Sequence, residues 1–289
     1  MTDLSVVIAC YNGETTLADQ LEGLAVQQWS RPWEIIFVDN RSTDGSRKIA
    51  EHYQGRLPNL RIIDASEKQG KSFALNKGIQ AAKGESIAFA DADDQVAPGW
   101  LPAIGEALLA HELVATRCDV ETLNQHENRH YRNTLQEEGL QTIHYPPHLP
   151  HAGGGTIGIR RALHFRIGGF DESLPFLEDT DYVWKAQLAG ATFHFVPEAV
   201  MRVRFRTDLR SIYRQKYNYA EYNVFLSKRY RSYGAPMSHP WRSYFNGWKY
   251  VLRSIKKLRR ASSRSDWVGQ FGTMVGKTRG IIKYRVPPT

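Results

Sequence analysis

The sequence of 289 residues predicts an α/β fold, in which a mostly parallel central sheet is flanked by helices and followed by a basic, helical C-terminal extension. In the first 90 residues, short β-branched runs alternate with stretches of helical periodicity, which is typical of such a sheet. The uneven distribution of charge along the chain predicts the basic extension. Residues 1–201 carry 17 Lys and Arg against 27 Asp and Glu (net −10), and residues 202–289 carry 21 against 3 (net +18).

The individual elements follow from the apolar pattern. Strands are predicted at residues 4–9, 34–38, 60–63 and 86–89, with helices between them at 14–28, 44–53 and 70–82. Strand and helix alternating at this pitch form βαβ units with parallel strands and right-handed connections. Residues 124–150 are polar and rich in His and Pro, and predict a long irregular excursion. The pattern then predicts a strand at 156–159, a helix at 182–188 and a strand at 192–196.

Polar segments follow three of the predicted strands, and ligands of parallel sheets bind beyond the carboxyl ends of strands. Asp39 follows the second strand, and Asp91, Asp93 and Asp94 follow the fourth. Three carboxylates in four residues repel one another, and a divalent cation with oxygen ligands relieves that repulsion. We interpret residues 91–94 as a clamp for a metal ion and a diphosphate. The alternative is a solvated acidic turn before the next helix.

Three further acids, Glu178, Asp179 and Asp181, stand at the start of a predicted helix. One interpretation is that acids at this position cap the helix and have no other role. A carboxylate held within reach of an acceptor hydroxyl can also take its proton. Ser42 and Asp44 are interpreted as helix caps.

These segments, in this order, resemble the bacterial family 2 glycosyltransferases of the GT-A fold. The resemblance covers residues 4–205. It rests on Ser5-Val6-Val7-Ile8 with Tyr11-Asn12, Val38-Asp39-Asn40 with Ser42-Thr43-Asp44-Gly45-Ser46, Asn76-Lys77-Gly78, Asp91-Ala92-Asp93-Asp94 with Pro98, Gly168-Gly169-Phe170-Asp171-Glu172, and Glu178-Asp179-Thr180-Asp181.

The resemblance implies an inverting transfer of a sugar from a nucleotide donor, and it assigns the roles in this transfer to particular residues. Asp39 would bind the nucleotide base, typically uracil, Asp91 would lie near the ribose and diphosphate, and Asp179 would be the catalytic base, with Glu178 beside it. Asp93, with Asp94 close by, would hold Mn²⁺ or Mg²⁺. The remaining candidates are Ala9, Tyr11, Asn12, Lys71 and Ala92 for the nucleotide, and Gly154, Asp181 and Arg204 for the acceptor or diphosphate.

Two positions depart from the family pattern. Members often carry a second aspartate after the second strand, where this chain has Asn40, and a histidine that reaches the metal, which residues 201–207 lack. In place of that histidine, we expect an arginine to contact the diphosphate, and the candidates are Arg202, Arg204 and Arg206. Lys71 is expected either to face the donor phosphates or to be an ordinary surface lysine.

The basic extension, residues 206–289, follows a catalytic domain of residues 1–205 in this scheme. Trp241, Tyr244, Phe245, Trp248, Leu252 and Ile255 fall on one helical stripe, with cations on the other faces. Such a helix can lie on an anionic membrane, or its stripe can pack on the protein. Nucleic acid is not an expected partner because the acidic body would repel it.

The compartment is predicted from what the sequence contains. Cys10 and Cys118 border apolar runs and are expected to be buried thiols. We see no signal peptide and no apolar stretch near the ~20 residues of a membrane span. We therefore expect a cytoplasmic protein, which could also lie peripherally on the inner face of the plasma membrane. As a separate expectation, the acceptor is a carbohydrate or a lipid-linked sugar used in cell-surface polysaccharide or glycolipid synthesis.

Two other functions remain open on the sequence alone. A nucleotidyltransferase of related fold would also use clustered aspartates, but would release pyrophosphate. A catalytically degenerate nucleotide-sugar-binding module is the non-enzymatic alternative. Acceptor choice is expected to depend on residues 124–158, where the sequence is least regular.

Overall fold

The computed structural model describes residues 2–124, 136–236 and 238–289. These residues form two compact units. The first unit comprises residues 2–124, 136–141 and 150–204, and the second comprises residues 142–149, 205–236 and 238–289.

The first unit is built on a sheet of eight strands in the order β3-β2-β1-β4-β7-β6-β8-β5. Six strands run in one direction, and β5 and β7 are antiparallel to their neighbours. The strands are β1 (Leu4–Cys10), β2 (Trp33–Asp39), β3 (Leu60–Asp64), β4 (Ser86–Phe89), β5 (Gln95–Val96), β6 (Leu113–Asp119), β7 (Ile157–Arg160) and β8 (Phe193–Arg202).

Helices flank this sheet. In the first unit they are α1 (Leu17–Ala25), α2 (Ser46–Tyr53), α3 (Lys71–Ala81), α4 (Trp100–Ala110), α5 (Arg161–Arg166) and α6 (Glu178–Leu188). The second unit contains the helices α7 (Leu209–Arg229), α8 (Pro240–Arg253) and α9 (Ala261–Tyr284). The predicted α/β fold is confirmed, and the first four strands lie within one or two residues of their predicted limits.

The central strands are buried on both faces, as expected for parallel strands covered by helices. Consecutive residues of β1, Val6, Val7 and Ile8, are fully buried, and Val6 lies in register with Ile35 of β2. Cys10 and Cys118 are buried free thiols, as predicted. Burial raises the pKa of Cys118 to about 12, so this thiol stays protonated.

The first helix is shorter than predicted because the chain turns before it. The carbonyl of Gly13 accepts hydrogen bonds from the N–H groups of both Thr16 and Leu17, so α1 begins at Leu17. The strand predicted at 156–159 is also displaced, since a 3₁₀ turn occupies Gly154–Thr156 and β7 begins at Ile157.

In the second unit, α9 packs closely along α7 through glycines. A Cβ atom at Gly272 would lie 2.8 Å from the carbonyl oxygen of Tyr213, and one at Gly276 would lie 2.1 Å from that of Tyr217. Both distances are below van der Waals contact, so only glycine permits the two backbones to approach this closely.

The single stripe predicted over residues 241–255 is wrong, because α8 ends before Ile255. The hydroxyl of Ser254 donates to the carbonyl of Tyr250 at 2.7 Å, and a 3₁₀ turn follows at Ile255–Arg259. No helix within the described ranges is long and apolar enough to cross a membrane.

Candidate active site

The acidic loop after β4 brings three carboxylates together. Asp91, Asp93 and Asp94 each offer an oxygen, and these atoms all lie within 4.8 Å of one another. Burial raises the pKa of Asp94 well above its usual value, and the charges of Asp93 and Asp91 add to this effect. A divalent cation would offset this repulsion, so the oxygen-only donor set fits Mg²⁺ or Mn²⁺.

Two side chains in or directly before α1, Gln20 and Thr16, hold the backbone of this loop, and the sequence did not indicate either of them. The buried amide of Gln20 donates to the carbonyl of Asp91 at 2.9 Å and accepts from the N–H of Val96 at 2.9 Å. The hydroxyl of Thr16 donates to the carbonyl of Ala92 at 3.0 Å. The loop conformation therefore depends on contacts more than 70 residues away in sequence.

Arg204 supports the same loop from the chain after β8. Its backbone N–H donates to Asp94 Oδ1 at 2.8 Å, and its Nε donates to the carbonyl of Asp93 at 3.1 Å. Its guanidinium also pairs with Asp19 at 2.7 Å. In this structure the Arg204 cation thus contacts Asp19 and the main chain of the acidic loop.

Lys71, the first residue of α3, joins the acidic loop to the start of α6. Its Nζ lies 2.7 Å from Asp91 Oδ1 and 3.9 Å from Glu178 Oε1. Burial acts to lower the pKa of Lys71, but the charges of Asp91 and Glu178 outweigh it and hold that pKa well above its usual value. Lys71 is therefore a permanent cation within a group of acids.

The first turn of α6 carries two further acids, Glu178 and Asp179, near Lys71. Glu178 is buried, and burial together with the neighbouring charge of Asp179 raises its pKa to about 7. Asp179 Oδ2 accepts from the N–H of Gly154 at 2.9 Å, and Oδ1 accepts from the N–H of Thr180 at 2.7 Å. These bonds fix the Asp179 carboxylate in one orientation beside Lys71.

Two glycines form the wall between these groups. A Cβ atom at Gly154 would lie 3.3 Å from Lys71 Nζ and 3.5 Å from Asp179 Oδ2, and one at Gly155 would lie 2.9 Å from the Asp91 carboxyl carbon. The absence of side chains here lets the acidic loop and α6 approach each other.

Asp181 does not join this group. It is fully buried, and its carboxylate lies 3.7 Å from Lys185, one turn further along α6. The third acid of the predicted cluster therefore faces the interior, because residues two apart on a helix point in different directions.

His151 is a further neighbour of Asp179 that the sequence did not indicate. Burial lowers the pKa of His151, and the negative charge of Asp179 opposes this effect. The histidine stands three residues before Gly154, in a segment whose sequence has no regular pattern.

Asp39 ends β2 at the same edge of the sheet. It is 7% exposed, and its Oδ1 accepts from the N–H of Ser42 at 3.0 Å. Cys10, the neighbour of Ala9 at the end of β1, lies in register with Asp39. The loops after the two strands are therefore adjacent.

The loop after β1 is bonded to the loop after β2 through Asn12, which has a left-handed backbone (φ 54°). The Asn12 side chain accepts from the N–H of Thr43 at 2.8 Å, and its own N–H donates to the hydroxyl of Ser42 at 3.1 Å. Ser42 is thus not a helix cap, contrary to the prediction, whereas Asp44 does accept from the N–H of Ser46 at the start of α2. Tyr11 is 53% exposed beside this junction.

Asn40 explains one departure from the family pattern. Its amide donates to the carbonyls of Ala65 and Lys68 at 2.7 and 2.8 Å, and its oxygen accepts from the N–H of Gly70 at 2.8 Å. An aspartate could accept the third bond but could not donate the other two. The amide thereby holds the turn at Gly70 (φ 149°) from which α3 and Lys71 begin.

The sequence profile of the family described as "Glycosyl transferase family 2" matches residues 5–168, more than half of the chain. The chain belongs to this family. The predicted membership is therefore confirmed.

Relatives of the chain agree with that assignment. It is 35% identical over 118 residues to the uncharacterized glycosyltransferase YibD of Escherichia coli, covering 41% of this chain and 34% of that one. It is 26% identical over 245 residues to the minor teichoic acid biosynthesis protein GgaA of Bacillus subtilis, covering 78% and 52%. The chain spans about half or less of the length of these curated relatives.

A solved structure of similar fold is the mannosyltransferase PcManGT from Pyrobaculum calidifontis in complex with GDP-Man and Mn²⁺. It has a TM-score of 0.67 and 18% sequence identity, and the match covers 97% of this chain and 87% of that one. The predicted GT-A fold is confirmed by this likeness.

Proposed function

We propose that this glycosyltransferase moves a sugar from a nucleotide-diphosphate sugar to an acceptor hydroxyl with inversion at the anomeric carbon. One observation carries the proposal. Lys71 lies between Asp91 and Glu178, and Asp179 is bonded to Gly154 at the same point, so two acid-bearing segments that are distant in sequence meet around one cation.

The donor would bind along the carboxyl edge of the sheet. Asp39 would bind the base, for which the family resemblance favours uracil, with Ala9, Tyr11 and Asn12 beside it. Asp91 and Ala92 would lie at the ribose and diphosphate. Lys71 would exchange its carboxylate partners for the diphosphate, because a lysine cation binds phosphate as a point charge. The neighbour of similar fold binds GDP-Man, which makes guanine the competing base.

The metal would be held by Asp93 and Asp94, with Asp91 within reach of the same ion. When bound, Mn²⁺ or Mg²⁺ would act as a Lewis acid that neutralises charge on the departing diphosphate. The grouping of the three carboxylates, whose oxygens lie within 4.8 Å of one another, supports this assignment.

Asp179 is our candidate for the catalytic base. The acceptor oxygen would form its bond to the anomeric carbon as the bond from that carbon to the diphosphate oxygen breaks. The electron pair of the broken bond would leave with the nucleoside diphosphate, and the acceptor proton would pass to the Asp179 carboxylate. The hydrogen bonds from Gly154 and Thr180 would hold the carboxylate in the orientation for this transfer. Glu178 would tune the charge of the site.

The acceptor in this proposal is a carbohydrate or a lipid-linked sugar of cell-surface polysaccharide or glycolipid synthesis. A teichoic acid biosynthesis protein among the relatives supports this class. Residues 1–205 would be the catalytic domain. Residues 206–289 would meet an anionic membrane on its cytoplasmic face, without a role in binding nucleic acid.

The test is a screen of UDP- and GDP-sugars for donor hydrolysis and transfer, with Mn²⁺ or Mg²⁺. We expect nucleoside diphosphate as the product, and Asp179→Asn should lower the rate by about 10²–10⁴-fold. Glu198→Gln, an exposed acid on β8, is the matched control and should retain full activity. Release of pyrophosphate would indicate nucleotidyl transfer instead. Equal, near-zero rates for the wild type and Asp179→Asn, with donor still bound, would indicate a binding module.

A further inference from the structure

Helix α8 uses one of its faces to pack within the second unit. The Tyr244 hydroxyl bonds to that of Thr278 at 2.8 Å, and Trp248 contacts Phe271 with ring centroids 6.2 Å apart. Val251 on the same face is 2% exposed. This face therefore provides the packing contacts of α8 within the second unit.

A second apolar ridge on α8 is exposed to solvent. Trp241, Phe245 and Leu252 are 48%, 62% and 66% exposed, respectively. Residues spaced by four, seven and eleven positions lie on one side of an α-helix, so these three side chains form a continuous line. Exposed large apolar groups of this kind mark sites of contact with a partner or a membrane.

Cations run directly beside this ridge. At 3.6 residues per turn, Arg242, Lys249 and Arg253 form a row next to it. Residues 240–260 contain seven Lys and Arg and no acid. Among the residues that the structure describes, no acidic side chain forms an ion pair with any of these three cations.

A groove lies on the cationic side of the helix. It is shallow and open to solvent, and its lining is Asn246, Lys249, Tyr250, Arg253 and Ser254. Lys257 reaches the same region, where its Nζ donates to the Tyr250 hydroxyl at 2.7 Å. Two cations one turn apart beside amide and hydroxyl groups match the chemistry of a phosphate group.

We propose that α8 is a membrane-binding surface, on which the ridge of Trp241, Phe245 and Leu252 enters the bilayer interface and the groove at Lys249 and Arg253 holds the phosphate of an anionic phospholipid. The occupant follows from charge and polarity together. An interfacial helix needs exposed apolar side chains next to cations, with aromatic rings at headgroup depth, and α8 has all three. This adds a lipid site to the proposed transferase and does not depend on its donor or acceptor.

The charge part of the proposal is tested by sedimentation of the full chain with vesicles of phosphatidylcholine, with and without phosphatidylglycerol. Lys249→Gln combined with Arg253→Gln should weaken binding to the anionic vesicles about thirtyfold, since each cation near an anionic surface contributes about fivefold. The exposed pair Lys48→Gln and Lys83→Gln removes the same charge from the first unit and should have little effect. Equal losses for both pairs would overturn the groove site in favour of net charge.

The ridge is tested separately by Phe245→Ser combined with Leu252→Ser. Removing this apolar surface should weaken binding about tenfold or more. The control is Phe165→Ser with Ile282→Ser, whose side chains are 52% and 73% exposed elsewhere. All four side chains are exposed, so each variant should keep the wild-type circular dichroism spectrum.

Three results would overturn the inference. The first is wild-type binding that does not respond to phosphatidylglycerol. The second is ridge variants that bind vesicles as the wild type does. The third is a dimer in the absence of lipid that the ridge variants dissociate, which would assign the surface to a second copy of the chain. Transfer to a soluble acceptor should be unchanged in all these variants, so failure of the membrane site and failure of the proposed transferase are distinguishable.

Discussion

At the scale of the residue, Asn40 shows why a position in the site can depart from the family pattern. Its side chain must both donate and accept, since it faces the carbonyls of Ala65 and Lys68 and the N–H of Gly70. Only an amide has both capacities in one planar group of this size. The departure therefore reflects the local backbone and requires no change in the chemistry of the site.

Asn40→Asp should therefore destabilise the protein by about 3 kcal/mol, because two buried hydrogen bonds are lost and a carboxylate faces two carbonyls. Urea denaturation measures this loss. Asn59→Asp is the control, since the Asn59 amide makes one long bond of 3.3 Å to Trp33 and should cost much less. Equal losses in the two variants would contradict our account of Asn40.

Glu178 predicts a pH dependence of stability. Its pKa is about 7 in the folded protein against an ordinary value of 4.5, so between these values the folded state keeps a proton that the unfolded state has released. The contribution of the Glu178 proton to the free energy of unfolding is therefore complete below pH 4.5 and is lost as the pH rises to 7. The unfolding free energy of the wild type minus that of Glu178→Gln should fall across this interval and then level off. A difference that is constant or rises would refute the shift.

Residue-level prediction from sequence succeeded where the chain itself provided the grouping. Asp91, Asp93 and Asp94 are neighbours in sequence, and the shared edge of parallel strands places Asp39 near them in the fold. Their roles, like that of Asp179, stay predictions. Gln20 and His151 gave no signal, because a single polar residue in a helix or an irregular segment does not reveal a partner distant in the chain.

At the scale of the element, the glycines of α9 set its distance from α7. The sequence shows Gly269, Gly272, Gly276 and Gly280 at intervals of three and four, which places them on one face of the helix. Glycine in a helix costs about 1 kcal/mol relative to alanine, so the close approach must return more than this cost.

Gly276→Ala should lower the unfolding temperature, because the added methyl group would lie 2.1 Å from the carbonyl oxygen of Tyr217. Gly269→Ala on the same helix is the control. Its methyl group would meet nothing closer than 3.6 Å, so this substitution should be neutral or stabilising by up to about 1 kcal/mol. Thermal unfolding followed by circular dichroism compares the two, and a stable Gly276→Ala variant would show that α9 can shift away from α7.

The extent of α8 could not be predicted from periodicity. The apolar spacing continues through Ile255, but the Ser254 hydroxyl bonds to the carbonyl of Tyr250, and the chain continues as a tighter turn. Side-chain bonds of serine to the preceding turn compete with helix continuation, and a hydrophobic pattern does not register them.

At the scale of the whole molecule, the fold was predictable because strand and helix alternate with clear periodicity over the first 90 residues. The reversed strand β7 was not predictable, since Ile157–Arg160 is a short apolar run like those of the parallel strands. Its direction is set by antiparallel pairing with the earlier strands β4 and β6. The chain returns to pair with them only after residues 124–150.

Metal binding should be visible in the stability of the whole protein. A ligand that binds only the folded state stabilises it by about 2.7 kcal/mol at a hundred times its dissociation constant, so Mn²⁺ should raise the unfolding temperature. Asp93→Asn with Asp94→Asn should abolish this increase, whereas Glu198→Gln should retain it. An increase of equal size in all three proteins would place the ion elsewhere.

The position of Asn40 directly after Asp39 has a mechanical consequence. Asp39 faces the proposed base pocket, and Asn40 holds the turn after which α3 begins with Lys71 as its first residue. Any shift of the β2 terminus would be passed through that anchor to the lysine, so recognition of the nucleoside and the handling of its phosphates share a single hinge point in the backbone.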